Sequence, residues 1–175
     1  KGSLPGQIDR ANLVGREVSG CHLGLIGAGA IGRAVATRAQ SLGMRVSAYD
    51  PFPSPDAAAM GIEFVSNVPT LLSAVDVVSL HAPGGGDNRS LIGADELAMM
   101  RPGSFLVNAA RGELVDVPAL ASALASGHLA GAAVDVFDPE PPSPESSLFS
   151  APNLIATPHM AAMTREALVR MAVDV

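Results

Sequence analysis

Short apolar runs alternate with amphipathic runs along the chain. "HLGLI" (22–26), "RVSAYD" (45–50), "VDVVSLH" (75–81), "SFLVNAA" (104–110), "LAGAAVDVF" (129–137) and "NLIAT" (153–157) are short and apolar at most positions, which predicts buried parallel strands; "IEFV" (62–65) predicts a brief further one. Between them, "AIGRAVATRAQSLG" (30–43) predicts a helix with Ile31, Val35, Ala39 and Leu42 on one face and Gly43 at its C-terminal cap. "FPSPDAAAMG" (52–61) reads as a turn and short helix, "NVPTLLSA" (67–74) as a turn or two capped by Asn67, and "GADELAMM" (93–100) as a short helix. In "DVPALASALASG" (116–127), Asp116 caps, Pro118 sits in the first turn and Gly127 stops the helix, while "TREALVRMAVDV" (164–175) starts a last one. This alternation predicts an α/β domain with a doubly wound parallel sheet and helices on both faces, spanning residues 1–175. The proline-rich "DPEPPSPESS" (138–147) lies between two strands and reads as a stiff loop inside that domain.

Composition narrows the partners. Among 175 residues, 48% are hydrophobic and 16% charged, so a packed core is expected. The net charge of −6, without any Lys/Arg run, argues against nucleic acid and anionic membranes. Cys21 is the single cysteine, so no internal disulfide can form, and no Cys/His cluster has metal-binding spacing. No apolar stretch is long enough to span a bilayer, and "KGSLPGQIDR" has no apolar signal core; a cytoplasmic protein is expected. The chain opens without Met and ends inside a helix-like run, so a fragment of a longer protein is expected.

"GLIGAGAIGRA" (24–34) places Gly27, Gly29 and Gly32 in G-x-G-x-x-G spacing, between a strand and a helix, with Asp50 at the end of the next strand. That full context is the dinucleotide-binding fingerprint of a Rossmann-type sheet. Gly27 permits the tight turn, Gly29 lets the backbone approach a pyrophosphate, and Gly32 lets the helix pack close. Asp50 accepts hydrogen bonds from ribose hydroxyls and repels a 2′-phosphate. No Arg or Lys in "PFPSPD" would hold one, so NAD is expected over NADP.

In open α/β sheets, ligands bind beyond the C-terminal ends of the strands. Arg111 follows "SFLVNAA", Glu140 follows "AAVDVF" and His159 follows "NLIAT", so all three fall on that edge. Each has a plainer reading: Arg111 paired with Glu113 or Asp116, Glu140 a solvated loop charge, His159 a strand-end residue. Jointly they make a candidate active site. Asp135, inside an apolar strand, must be hydrogen-bonded. It either holds a neighbouring loop or receives a nicotinamide carboxamide, and the second is preferred. His81 is expected to be structural near the cofactor. His22 and His128 look incidental, and "PGGGDNRS" (83–90) reads as a loop beside the cofactor.

Taken in order, "LVGREVSGCHLGLIGAGAIGRA", "AYDPF", "VDVVSLHAPGGGDNRSLI", "MMRPGSFLVNAARGELVD", "ALASGHLAGAAVDVFDPEP" and "NLIATPHMA" resemble the NAD-binding domain of the D-isomer-specific 2-hydroxyacid dehydrogenases (phosphoglycerate dehydrogenase-like). The resemblance implies hydride transfer between NAD(H) and a D-2-hydroxyacid/2-oxoacid pair. Arg111 then binds the substrate carboxylate, Glu140 is the catalytic acid that orients the imidazole, and His159 is the proton donor. It implies cofactor contacts from Gly27, Gly29, Ala30, Ile31 and Gly32 at the turn, and from Asp50 and Pro51 after the second strand. Further contacts are implied from His81, Ala82, Pro83 and Asn88, from Ala109, Ala110 and Arg111, and from Asp135 and His159. It also implies a homodimer through this domain and a second, substrate-binding domain that is absent here. Two positions depart from the family pattern: Gly85, where a small hydroxyl residue is usual, and Ala162, where Gly is common. An NAD(H)-sensing corepressor on the same scaffold is the alternative. An alanine dehydrogenase fits less well, given "NAARGELVD" and "TPH".

Overall fold

The computed structural model describes residues 14–85 and 90–173. The first half runs β1 (His22–Ile26), α1 (Ala30–Ser41), β2 (Arg45–Tyr49), α2 (Pro55–Ala59), β3 (Glu63–Phe64), α3 (Val68–Ala74) and β4 (Val77–Leu80). The second half runs α4 (Ala94–Met99), β5 (Ser104–Asn108), α5 (Val117–Ala125), β6 (Leu129–Val134), β7 (Leu154–Ala156) and α6 (Arg165–Val173). The strands form one sheet in the order β3-β2-β1-β4-β5-β6-β7, and every pairing is parallel. The chain winds outward from β1 to β3 and then returns to β4 on the other side of β1. The strand order therefore reverses between β1 and β4, which opens a crevice at their C-terminal ends.

Alternation along the central strands divides the core. Leu23 and Leu25 of β1 pack with Ala36 and Ala39 of α1, Val46 and Ala48 of β2, and Ala57 of α2. Gly24 faces the other way, where a Cβ would stand 2.9 Å from Val75 Cγ2. On that face Leu71 and Leu72 of α3, Leu97 of α4, and Leu120 and Leu124 of α5 cover Val78, Leu80, Leu106 and Leu129. The caps are local chemistry: Asn67 Oδ1 accepts from Thr70 N–H at 2.9 Å and Asp116 Oδ1 from Ala119 N–H at 2.8 Å.

One expectation about the core needs correction. The buried face of α1 is Gly32, Ala36 and Ala39, whereas Ile31 is 71% and Leu42 59% exposed. The helix lies so near the turn after β1 that a Cβ on Gly32 would collide with the Gly27 carbonyl oxygen, so the smallest residues face inward. Helices cover both faces of the sheet as expected, though unequally. Among the described residues, the α1 side of β5–β7 is open, with Phe105 and Ile155 exposed around a shallow hollow, and α6 buries none of its residues.

His22 is not incidental. Its backbone N–H donates to Asp76 Oδ2 at 2.9 Å, and its ring Nε2 lies 2.7 Å from Ser47 Oγ, which donates on to Glu63 at 3.4 Å. Arg45 Nη2 stands 3.4 Å from the ring Nδ1. Burial, and then the Arg45 charge, push the His22 pKa below its ordinary value. Asp76 is held below the usual carboxylate range by the His22 N–H, and it also receives Arg101 at 3.0 Å. The cluster ties strand starts together at the edge opposite the crevice.

Candidate active site

The chain leaves β1 through Gly27-Ala28-Gly29. Gly27 has φ +97°, and a Cβ there would lie 2.6 Å from the His81 carbonyl oxygen, so the turn rests against the end of β4. Gly29 precedes α1 with no side chain bonded to the first amides and no acidic residue in the first turn. Nothing lies within 4 Å of a Cβ placed on Gly29. Ala30 and Ile31 are exposed beside this open space. Unpaired N–H groups at the positive end of a helix, with room above them, suit a pyrophosphate.

Asp50 follows β2. Its Oδ2 accepts from Ala28 N–H at 2.7 Å and its Oδ1 from Phe52 N–H at 2.8 Å. The carboxylate therefore shapes the glycine turn, and each oxygen keeps a lone pair for a ribose hydroxyl. Arg33 Nη1 reaches the Ala28 carbonyl at 3.3 Å and Ser54 Oγ at 3.2 Å, so Ala28 is held at both its N–H and its C=O. Pro51 is exposed next to Asp50.

At the end of β4, His81 N–H donates to Ile26 O at 2.7 Å and its ring Nε2 meets Ser79 Oγ at 3.0 Å. Burial pushes its pKa down, so the ring is neutral near pH 7. Ala82 and Pro83 lead into Gly84, where an added Cβ would lie 3.0 Å from Arg111 Cγ and collide with the Glu113 carboxylate. Gly85 has φ +95°, a conformation that a hydroxyl residue would adopt only at a cost. Asn88 lies outside the described residues.

Three arms project from β5, β6 and β7. After β5, Ala109 and Ala110 lead to Arg111, an exposed side chain whose Nη1 donates to the Ala110 carbonyl at 2.7 Å. Among the described residues no ion pair involves Arg111; Asp116, one suggested partner, caps α5 instead. After β6, the chain carries Glu140, and after β7 it carries His159. These two meet directly: His159 Nδ1 lies 2.9 Å from Glu140 Oε2. The carboxylate thus claims the Nδ1 proton and leaves Nε2 turned away from it. Beside the pair lies a cleft of about 520 Å³ lined by Phe137, Pro141, Pro142, Phe149 and Pro158.

Asp135 supports the His159 arm. Its Oδ1 accepts from the Thr157 hydroxyl and from Met160 N–H at 2.9 Å, and its Oδ2 accepts from Ala161 N–H at 2.9 Å. Burial opposes its charge, but these three donors outweigh it, so its carboxyl sits below the usual carboxylate range. Between the anchored residues, His159 adopts φ +51°, rarely occupied by non-glycine residues. Of the two roles foreseen for Asp135, holding the loop is the one the geometry displays; a lone pair on Oδ2 is left for a carboxamide. The sequence reading missed Thr157 and also Asn108, a 1%-exposed residue that closes the turn before Arg111. The signal for Asn108 was available: a polar residue ending an apolar strand.

A family model described as the NAD-binding domain of D-isomer specific 2-hydroxyacid dehydrogenases matches residues 4–161. The (S)-sulfolactate dehydrogenase of Chromohalobacter salexigens is 48% identical over 170 residues, covering 97% of this chain and 55% of that protein. The D-3-phosphoglycerate dehydrogenase of Archaeoglobus fulgidus is 43% identical over 163 residues, covering 93% of this chain and 31% of that protein. Among solved structures, the NAD-complexed form of a D-isomer specific 2-hydroxyacid dehydrogenase from Lactobacillus delbrueckii ssp. bulgaricus matches with a TM-score of 0.83 at 32% identity, covering 98% of this chain and 55% of that one. The chain spans about half or less of the length of these curated relatives.

Proposed function

Because the chain belongs to the D-isomer-specific 2-hydroxyacid dehydrogenase family, as its NAD-binding domain, we propose that the protein interconverts a D-2-hydroxyacid and its 2-oxoacid. NAD(H), when bound, supplies or receives the hydride. The chain's own residues do the rest. Arg111 pairs its planar guanidinium with the substrate carboxylate. His159 Nε2 gives a proton to the carbonyl oxygen during reduction and takes it back during oxidation. Glu140 holds the ring in the one orientation that presents Nε2.

The observation that carries this reading is the 2.9 Å contact between Glu140 and His159 Nδ1, which follow β6 and β7, the two strands next in the sheet after the β5 that leads to Arg111. Asp50 supports NAD over NADP through its charge. The apolar residues left uncovered on β5, β7 and α6 support a homodimer through this domain. The cytoplasm, where NAD(H) and oxoacids meet, is the compartment that fits. The test is a screen of 2-oxoacids by loss of NADH absorbance, using protein that carries this domain. His159→Ala should lower turnover by about 10²–10⁴-fold with NADH affinity retained. Near-normal turnover in that variant would remove the assignment.

A further inference from the structure

We propose that Asn108 is the positioning residue of Arg111, and that it joins the Arg111 arm to the His159 arm through Asp135. This rests on the reading of Arg111 as the substrate-binding group. Asn108 ends β5 and is 1% exposed, so its amide must find partners inside the protein. It finds them in the turn that carries Arg111: Nδ2 donates to the Arg111 carbonyl at 2.9 Å, and Oδ1 accepts from Ala110 N–H at 3.1 Å. One planar group supplies a donor and an acceptor, and no other side chain of that size offers both in this arrangement. The direction in which Arg111 leaves the sheet is set by these two bonds.

The same residue reaches the other arm through its backbone. The Asn108 carbonyl accepts from Asp135 N–H at 2.9 Å, and the Asp135 carboxylate holds Thr157, Met160 and Ala161 around His159. Past Arg111, a Cβ on Gly112 would collide with the Phe137 carbonyl, so the Arg111 turn also abuts the segment leading to Glu140. The substrate anchor and the His159–Glu140 pair are therefore set against one another by backbone bonds at the ends of β5 and β6, and neither reacting side chain has to touch the other.

The test has two parts. In this chain, amide hydrogen exchange should show the Ala110 N–H losing protection in Asn108→Ala, while the Asp135 N–H, bonded to the backbone carbonyl of residue 108, keeps it. Retained protection at Ala110 would overturn the positioning role whatever the substrate. In protein carrying this domain, Asn108→Asp keeps the acceptor for Ala110 but faces the Arg111 carbonyl with a carboxylate. It should raise KM for the 2-oxoacid by roughly 10- to 100-fold, since misplacement by about 1 Å has effects of that order, with a much smaller change in NADH affinity. Introduced into Arg111→Ala, the same change should have no further effect, because it acts through a side chain already gone. A full additional loss in that background would overturn the proposal and leave Asn108 a fold residue. Unaltered KM in Arg111→Ala itself would overturn the functional reading, an outcome distinguished from the first by the exchange result.

Discussion

Replacing Asp135 with Asn tests how the His159 loop is held. The wild-type carboxylate accepts three hydrogen bonds, two on Oδ1 from Thr157 and Met160 and one on Oδ2 from Ala161. An amide can keep only one oxygen. If that oxygen takes the Oδ1 place, its NH₂ group faces the Ala161 N–H, donor against donor. One hydrogen bond to a charged group is then lost, at about 1.5–3 kcal/mol, and the two survivors fall to roughly neutral strength. With about 1 kcal/mol lost at each survivor, a total near 3.5–5 kcal/mol corresponds to a fall in Tm of roughly 7–20 °C for a domain of this size. The pH dependence has a definite sign. Asp135 has a depressed pKa in the fold, so its contribution is fully present above the unfolded carboxylate value of about 3.9 and is lost as pH falls through the folded value. The gap between wild type and Asp135→Asn should thus be constant near neutrality and should narrow below about pH 4. Urea denaturation of both proteins across that range measures it. Equal midpoints at pH 7 would show that Asp135 does not hold the loop.

Asp50→Ala should weaken NADH binding and narrow the preference over NADPH, because a ribose acceptor and a repulsive charge leave together; an unchanged ratio of the two affinities by calorimetry would place the adenosine elsewhere. The variant should also melt earlier, since Ala28 and Phe52 N–H lose their acceptor. His22 has a depressed pKa in the fold, so its stabilisation is complete above about pH 6.5 and is lost as pH falls below that, when the unfolded chain takes up a proton that the folded ring resists. His22→Gln should flatten the urea midpoint between pH 7.5 and 5, and a curve as steep as wild type would assign the acid sensitivity to another group. These 175 residues alone should bind NADH yet turn over 2-oxoacids poorly, because water at the strand ends screens Arg111 and His159. Strong turnover on the calorimetry sample would show that the site is closed by some other means.

What could be read from the sequence was what depends on neighbours a few residues away. Asn67 and Asp116 were legible as caps because their partners stand three residues on. The strands were legible because a two-sided burial demands apolar residues throughout. The inward face of α1 was not, since it depends on how closely Gly32 approaches Gly27, and large apolar residues are a poor guide where only small ones fit. His22 was dismissed because its partners lie 25 and 54 positions away. The role of Asp135 stayed open for the same reason: its donors stand 22 to 26 residues further along, and apolar neighbours say only that it must be bonded. The strand pattern placed Arg111, Glu140 and His159 on one edge, and the resemblance to the family supplied their expected roles; the structure supplied the Glu140–His159 contact.

The distribution of buried bonds around the candidate site explains how it can be ordered while its side chains stay accessible. The His159 and Glu140 side chains are 53% and 39% exposed, so water competes with their contact and the pair alone stabilises the fold by about 0–1 kcal/mol at most. Holding His159 at φ +51° costs a comparable amount. The pair therefore cannot be what keeps its own loop in place. That work falls to Asp135, which is 8% exposed and bonded to three donors in the loop, and to Asn108 behind Arg111. His159 Nε2 points away from Glu140 and Arg111 spends Nη1 on the neighbouring Ala110 carbonyl, while the backbones of both residues are fixed by other side chains. A substitution at either supporting residue should consequently disturb geometry first and chemistry only through it, whereas a substitution at His159 should, on the proposed function, remove the proton donor from an otherwise intact site.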